Sequence, residues 1–254
     1  MPRPSRLVFS DVDETLISGK SLFDFLDFYF SGRYGAEGAR HVAGTRRRIA
    51  ALMAEGSPRE AGNRLYYEAW QGEPLATVTD WGARWFALRG TAPGFYVPAT
   101  LAALRAHQEN GDHVVLVSGS FAAVLDPIAA DIDARHVLCT RPEAKGGTLT
   151  GAVAGEPCIG EGKRRAVRDL ARRYPHIDLA DCHGYGDHHS DLPMLTEVGH
   201  PVVVGGSRDL LAELPGARVL PGARVLPGAR VLPGGGPAAH ATAHGESASR
   251  GGAG

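Results

Sequence analysis

Two aspartates, Asp11 and Asp13, lie two positions apart in the motif DVDET near the start of the chain. In an extended segment this spacing puts both carboxylates on the same side of the backbone. Two carboxylates aimed at one point repel each other. The pair is best tolerated where a divalent cation neutralises it, or where the two groups divide the roles of nucleophile and proton donor. By itself the pair is a weak signal, because aspartate pairs in turns are usually caps or Asx-turns.

Other polar residues along the chain offer complementary chemistry. Ser118 and Gly119 provide a hydroxyl and an unhindered N–H for an anionic oxygen. Lys163 begins a predicted helix, where its ammonium and the helix N-terminus both favour a phosphate. Asp187 and Asp191 add two carboxylates four positions apart. Aspartate oxygens are the ligands that Mg²⁺ selects, with waters and a phosphate oxygen completing the octahedron.

Short apolar runs precede most of these polar residues and predict the elements that position them. Buried strands are predicted over residues 6–10, 113–117, 181–186 and 201–204. Helical stretches alternate with the strands, which predicts an α/β fold with a Rossmann-like parallel sheet and helices on both faces. Such sheets bind ligands at the carboxyl ends of their strands, where the aspartates and Ser118 fall.

A helical segment over residues 18–95 separates the first two predicted strands. It is far longer than a simple crossover between parallel strands, so we expect an inserted helical domain. Ser21 followed by Asp24 is typical of a helix start. Aromatic residues recur at helical spacing, as at Trp81 and Trp85, and indicate packing between helices.

The C-terminal end has a different composition. The hexapeptide PGARVL occurs three times over residues 215–232, and residues 233–254 contain no Leu, Ile, Val or Phe. We expect the first copy to supply an edge strand over residues 217–220. The other copies are expected to be tandem duplication within a disordered, Gly/Ala-rich tail, residues 221–254.

The overall charge excludes several function classes. The chain has 27 Lys plus Arg against 28 Asp plus Glu, a formal net charge of -1, so no basic field favours nucleic acid or an anionic membrane. The three cysteines show no CxxC spacing and predict reduced thiols, which is typical of a cytoplasmic protein. We expect neither a membrane span nor a targeting segment.

Four motifs, DVDET, VLVSGS, GEGKRR and GDHHSD, resemble in order and spacing those of the haloacid dehalogenase-like (HAD) hydrolase superfamily. The closest resemblance is to its phosphoserine-phosphatase-like branch, subfamily IB, and it extends over residues 6–214. It implies a catalytic core formed by residues 1–17 and 96–220. Residues 18–95 would form the helical cap of that branch.

The resemblance implies an Mg²⁺-dependent phosphatase that hydrolyses a small phosphomonoester through an aspartyl phosphate. Asp11 would be the nucleophile, and Asp13 the general acid and then the general base. The resemblance also implies that Mg²⁺ binds the Asp11 and Asp187 carboxylates and the Asp13 backbone carbonyl. Ser118, Gly119 and Lys163 would bind the oxygens of the transferring phosphoryl group. Asp191 would orient Lys163 or a metal-bound water.

Three positions bear on the substrate. Lys20 stands where phosphoserine phosphatases carry an acidic residue that meets the substrate's ammonium group, and a lysine there would repel an amine. The resemblance therefore favours a substrate with a hydroxyl, carboxylate or further phosphate near the ester. Ser190 replaces a usual asparagine but can still donate and accept hydrogen bonds. Arg64 lies where the cap could present an arginine to the substrate, although a solvated helix arginine is the alternative.

Other functions remain open from the sequence. A phosphotransferase or a phosphatase of proteins or lipid head groups could use the same fold, and so could a non-catalytic binding protein. The presence of Asp11, Asp13 and Lys163 favours an enzyme. A closing helical cap disfavours a bulky protein substrate. We expect the partner to be a small phosphorylated metabolite, with no nucleic acid and no membrane.

Overall fold

The computed structural model describes residues 4–223, and a six-stranded parallel sheet forms its centre. The eight strands of this part of the chain are β1 (Leu7–Ser10), β2 (His113–Ser118), β3 (His136–Cys139), β4 (Pro142–Lys145), β5 (Thr148–Val153), β6 (His183–Gly186), β7 (His200–Val204) and β8 (Arg218–Leu220). The order across the sheet is β3-β2-β1-β6-β7-β8, and every neighbouring pair is parallel. The predicted α/β fold with a Rossmann-like sheet is confirmed.

Helices fill the connections between the strands. Within the described residues they are α1 (Ser21–Ala54), α2 (Arg59–Glu68), α3 (Leu75–Arg89), α4 (Pro98–Glu109), α5 (Ala122–Asp131), α6 (Glu161–Ala171), α7 (Leu192–Leu195) and α8 (Arg208–Glu213), with 3-10 turns at Leu179–Asp181 and His189–Asp191. No helix in this part of the chain has the length and apolar content needed to cross a membrane.

The sheet is buried on both faces because its strand residues alternate between two apolar clusters. Val8 and Leu116 belong to the cluster that continues into α1–α3 and α5. Leu7 and Phe9 belong to the opposite cluster, with α6, α7 and α8. The central strand β1 is wholly buried, so the residues that follow it are delivered to a fixed point at the sheet edge.

Helices α1–α3 form the insertion between β1 and β2. The long helix α1 is two helical segments that meet at Gly35, which has a φ of 57° in the left-handed region. Aromatic rings fill the space between the inserted helices and the core. Phe25 stacks on Trp70 with ring centroids 5.3 Å apart, and Trp70 lies 5.5 Å from Phe121, which immediately precedes α5.

A strand and a hairpin that the sequence analysis did not predict complete the fold. β3 adds an edge next to β2, and β4 and β5 form an antiparallel hairpin whose turn holds Gly146 and Gly147, both with positive φ. The hairpin contacts the insertion through Leu149, whose N–H donates to the Glu73 carbonyl at 2.9 Å and whose carbonyl accepts from Gly72 at 2.9 Å. The hairpin is thereby attached to the loop between α2 and α3.

The other edge of the sheet is β8, which lies in the first PGARVL copy, where the sequence predicted a strand over residues 217–220. After β8 the backbone of Gly222 passes close to that of Gly205, and Ala223 packs against the core. The remaining PGARVL copies, from Arg224 onward, and the rest of the predicted tail lie outside the described residues.

Candidate active site

Three carboxylates converge at the carboxyl edge of the sheet. Asp11 directly follows β1. Its backbone N–H donates to the Tyr185 carbonyl of β6 at 2.9 Å, which fixes the backbone of Asp11 next to β6. Asp187 follows β6, and Asp191 ends the next turn. One oxygen from each carboxylate of Asp11, Asp187 and Asp191 lies within 4.8 Å of the others. The parallel sheet therefore brings together residues that are up to 180 positions apart in sequence.

Lys163 connects two of these carboxylates. It lies in the first turn of α6, and its Nζ is 2.5 Å from Asp11 Oδ1 and 2.7 Å from Asp191 Oδ1. Its side chain is 3% exposed. Burial by itself would lower the pKa of Lys163, but the charges of Asp11 and Asp191 outweigh it and raise that pKa above its usual range. Lys163 is therefore a charged ammonium next to Asp11.

Asp191 uses both of its oxygens for structure. Oδ1 accepts from Lys163, while Oδ2 accepts from the backbone N–H groups of Asp187 and His188 at 3.2 and 3.1 Å. The turn can close this tightly because Gly186 has no side chain, since a Cβ there would lie 2.7 Å from the Asp191 Cβ. Asp191 thus positions Lys163 and the Asp187 backbone.

Asp13 faces the insertion. Its Oδ1 accepts a hydrogen bond from the backbone N–H of Ser21, the first residue of α1, at 3.0 Å. Burial raises the pKa of the Asp13 carboxyl. Between Asp13 and Thr15, Glu14 has a φ of 64°, which turns the chain sharply. Thr15 Oγ1 then donates to Asp187 Oδ1 at 2.8 Å and fixes that carboxylate.

The loop after β2 lies on the opposite side of the carboxylates. Ser118 is buried, and its Oγ accepts from the Ser120 N–H at 3.1 Å. Gly119 has room for no side chain, because a Cβ would lie 2.8 Å from Ile159. The Gly119 carbonyl accepts from Asn63 Nδ2 at 2.9 Å and from the Tyr67 hydroxyl at 3.1 Å, both on α2. The sequence analysis missed both α2 residues.

A cleft opens above these groups. Its mouth carries Lys20, whose Nζ lies 3.0 Å from Glu14 Oε2, and Arg59, whose Nη1 lies 3.5 Å from Ser190 Oγ. Arg64, the cap arginine suggested by the sequence, points elsewhere and lies 3.4 Å from the Gly155 carbonyl. The lining residues are Asp11, Asp13, Glu14, Lys20, Leu22, Arg59, Ser118, Gly119, Ser120, Ile159, Lys163, Asp187, His188, Ser190 and Asp191.

The base of the cleft has more negative than positive charge. Four carboxyl groups, those of Asp11, Asp13, Asp187 and Asp191, face the single ammonium of Lys163. Burial and then the neighbouring Asp191 raise the pKa of Asp187 to about 6. Within residues 4–223, Oδ2 of Asp11 and Oδ2 of Asp187 accept no hydrogen bond. Free carboxylate oxygens in a crowded anionic site fit a hard divalent cation such as Mg²⁺.

Residues 8–196 match the family model of haloacid dehalogenase-like hydrolases, which covers well over half of the chain. The chain belongs to the haloacid dehalogenase-like hydrolase family. The membership indicated by the four sequence motifs, with its likeness to phosphoserine phosphatases, is confirmed, and the protein is an enzyme of the hydrolase class.

Individual relatives support this placement. A probable phosphatase of Mycobacterium tuberculosis strain H37Rv is 31% identical over 224 residues, covering 84% of this chain and 73% of the relative. A Bordetella pertussis Tohama I protein of unknown function superposes with a TM-score of 0.72 at 24% identity, over 86% of this chain and 99% of that one. A phosphoserine phosphatase in the form of a phospho-aspartyl intermediate analogue gives a TM-score of 0.61 at 20% identity, over 85% and 93%. At 24% and 20% identity, these two structures show that this chain shares their fold.

Proposed function

We propose that this hydrolase is a phosphatase that cleaves a small phosphomonoester through an aspartyl phosphate on Asp11, with Mg²⁺ bound. One observation carries the proposal. The buried Asp11 carboxylate lies against the Lys163 ammonium at the base of a cleft, and the Ser118–Gly119 loop lines the same cleft. A nucleophile, an ammonium group and a hydroxyl thus line the same cleft. The relative named as a probable phosphatase supports a phosphatase activity.

In the first half of the reaction, an Asp11 oxygen attacks phosphorus and the bond from phosphorus to the ester oxygen breaks. Asp13 donates its proton to the leaving oxygen. The raised pKa of Asp13 favours the protonated form that this step requires. Lys163, the Ser118 hydroxyl and the Gly119 N–H hold the non-bridging oxygens and stabilise the charge that develops on them.

In the second half, water attacks the phosphorus of the aspartyl phosphate. Asp13, now a carboxylate, takes a proton from this water, and the bond between phosphorus and the Asp11 oxygen breaks. Inorganic phosphate leaves, Asp11 is again a carboxylate, and Asp13 again carries its proton. Asp191 keeps Lys163 directed at Asp11 throughout both steps.

The groups that would hold Mg²⁺ are the carboxylates of Asp11 and Asp187 and the backbone carbonyl of Asp13. When bound, the cation would neutralise the excess negative charge at the base of the cleft and polarise a phosphoryl oxygen. Thr15 keeps Asp187 oriented for this purpose through its hydrogen bond to Oδ1.

We propose that residues 18–95 are a cap over the cleft and that residues 1–17 and 96–220 are the catalytic core. The inserted helices α1 and α2 contribute Leu22 and Arg59 to the lining of the cleft, and a cap that closes over it suits a small metabolite. Lys20 and Arg59 make the mouth cationic, although Glu14 offsets part of that charge. The substrate we propose bears a hydroxyl, a carboxylate or a further phosphate near the ester and lacks an adjacent ammonium group.

The experiment is a screen of phosphorylated metabolites with the purified full chain and Mg²⁺, in which released phosphate is measured. Asp11→Asn should lower kcat by at least about a thousandfold while the melting temperature is retained. Asp80→Asn, an exposed aspartate on α3, is the matched control and should change nothing. Acid-quenched wild-type enzyme should carry one phosphoryl group on the peptide that contains Asp11. Near-normal turnover by the Asp11→Asn variant would rule out the covalent route.

A further inference from the structure

The edge strand β8 is built from a sequence that the chain carries more than once. β8 and the residues on either side of it form the segment PGARVLPGA, residues 215–223. The same nine residues recur at 221–229. A third version at 227–235 differs only at its last position, Gly235. The structure describes the first version, while the second and third extend beyond the described residues.

Few contacts hold β8 at the edge of the sheet. β8 pairs in parallel with β7, with Val203 opposite Val219 and Val204 opposite Leu220. The Gly205 N–H donates to the Leu220 carbonyl at 2.9 Å. Leu220 is 8% exposed and packs into the core, whereas Val219 is 50% exposed. One buried leucine and one line of backbone hydrogen bonds therefore hold the strand.

Both turns that flank β8 require glycine, and each copy provides it. Gly216, before the strand, has a φ of 129°, a conformation that side chains other than glycine rarely adopt. Gly222, after the strand, crosses Gly205 so closely that a Cβ would lie 2.9 Å from the Gly205 Cα. If the second copy were in the strand, Gly222 would take the first position and Gly228 the second.

We propose that the edge of β7 that β8 covers is a docking site for the PGARVL hexapeptide and that the second and third copies of the same chain can replace the first one there. All of the residue types that the site selects, namely the two glycines, the buried leucine and the alanine that packs after the strand, recur six positions later. The repeats then act as alternative edge strands, and the backbone groups along the edge of β7 stay paired when the first copy cannot dock.

Chain length sets the order in which the copies dock. Residues 215–217 connect Leu214 to the first copy, residues 215–223 would connect it to the second, and residues 215–229 to the third. Because loop-closure entropy grows with the logarithm of loop length, the second copy is disfavoured about fivefold and the third about elevenfold. The first copy is therefore the one found in the sheet, and the second is within reach when the first is removed.

The test compares three variants of the full chain. Leu220→Asp removes the buried leucine of the first copy only, and its melting temperature should fall by about 2–4 °C, the loss expected for a fivefold weaker docking. The triple variant Leu220→Asp/Leu226→Asp/Leu232→Asp leaves no usable copy and should lose at least about 6 °C. The control Leu226→Asp/Leu232→Asp keeps the first copy and should melt like the wild type.

Limited trypsin digestion identifies which copy is docked. In Leu220→Asp, cleavage after Arg218 should become faster and cleavage after Arg224 slower than in the wild type, as measured by mass spectrometry. Equal melting temperatures for the single and triple variants, or an unchanged cleavage order, would overturn the proposal. A Leu220→Asp variant that runs as a dimer would also overturn it, because the strand would then come from a second chain.

Discussion

Asp13 connects the proposed proton transfer to the start of the inserted helices. Its carboxyl accepts a hydrogen bond from the Ser21 N–H, at the positive end of α1, which favours the ionised form. Burial acts in the opposite direction and raises its pKa. The role proposed for Asp13 alternates between acid and base, and these two effects act on its pKa in opposite directions.

Lys20 should discriminate against substrates with an amine. The test uses two substrates, phosphoethanolamine and propyl phosphate, which has nearly the same size but no ammonium group. The wild type should prefer propyl phosphate in kcat/KM. Lys20→Gln should shift the ratio several-fold toward phosphoethanolamine, a modest change because Lys20 is half exposed and paired with Glu14. An unchanged ratio would mean that Lys20 does not face the substrate.

The acidic cluster should make stability depend on Mg²⁺. At a concentration 100 times its Kd, the ion should stabilise the wild type by about 2.7 kcal/mol, visible as a higher melting temperature that EDTA reverses. Asp187→Asn should abolish this increase. The same variant should melt higher than the wild type in EDTA, because it removes the charge of one of several crowded carboxylates. Asp80→Asn should respond to Mg²⁺ like the wild type, and a response retained by Asp187→Asn would contradict the assigned ligand.

The sequence predicted the proposed site residues that lie in local motifs. Asp11, Ser118 and Asp187 each lie at or directly after the end of a strand, and parallel strands end at a common edge, so their meeting follows from the fold class. Asn63 and Arg59 could not be predicted in this way. Their place in the cleft depends on how α2 packs over the sheet, and no local pattern encodes that packing.

Helix α2 should hold the loop after β2 in position. Tyr67→Phe removes one of the two donors to the Gly119 carbonyl and should lower kcat/KM about 5- to 10-fold, the worth of one buried hydrogen bond, with most of the change in kcat. Tyr66→Phe is the matched control, since the Tyr66 hydroxyl donates to the Leu22 carbonyl within the insertion. Equal kinetic losses in the two variants, with equal losses of stability, would point to a purely structural role.

The hairpin of β4 and β5 shows what a closer sequence analysis could have found. Gly146-Gly147 between two short extended segments is a known signal for a tight hairpin turn, and both glycines adopt positive φ. β3 was harder to predict. Its apolar run is only three residues long, Val137–Cys139, which is a weak signal for a strand, and the strand pairs along the edge of β2.

At the scale of the whole molecule, acid should destabilise the protein through three neighbouring histidines, two at the starts of β6 and β7 and one on α4. His183 lies between His107 and His200, with ring centroids 4.3 and 4.7 Å away. Burial, and then the neighbouring histidines, lower the pKa of His183 to about 4. The unfolded chain takes up this proton near pH 6.5 and the folded chain does so near pH 4, so the free energy of unfolding should fall as the pH drops across that interval.

Urea unfolding curves recorded between pH 7 and pH 4 measure how the free energy of unfolding depends on pH. His183→Asn should flatten the dependence of unfolding free energy on pH, whereas His176→Asn, at an exposed histidine, should leave the slope unchanged. The slope is the relevant readout, because a change of stability at one pH could also come from altered packing. A slope unaffected by His183→Asn would assign the acid sensitivity to other groups.

The three tryptophans of the chain lie in the insertion, Trp70 in the turn that follows α2 and Trp81 and Trp85 on α3. Trp70 and Trp85 are fully buried, and tyrosines surround Trp70 at 5.0 and 6.1 Å. Intrinsic emission excited at the indole band therefore reports on this one region without any label. If the inserted helices open or melt before the sheet does, the emission maximum should shift to the red while the far-ultraviolet circular dichroism of the strands persists. Tryptophan fluorescence of the unlabelled protein can therefore detect movement of the inserted helices above the cleft.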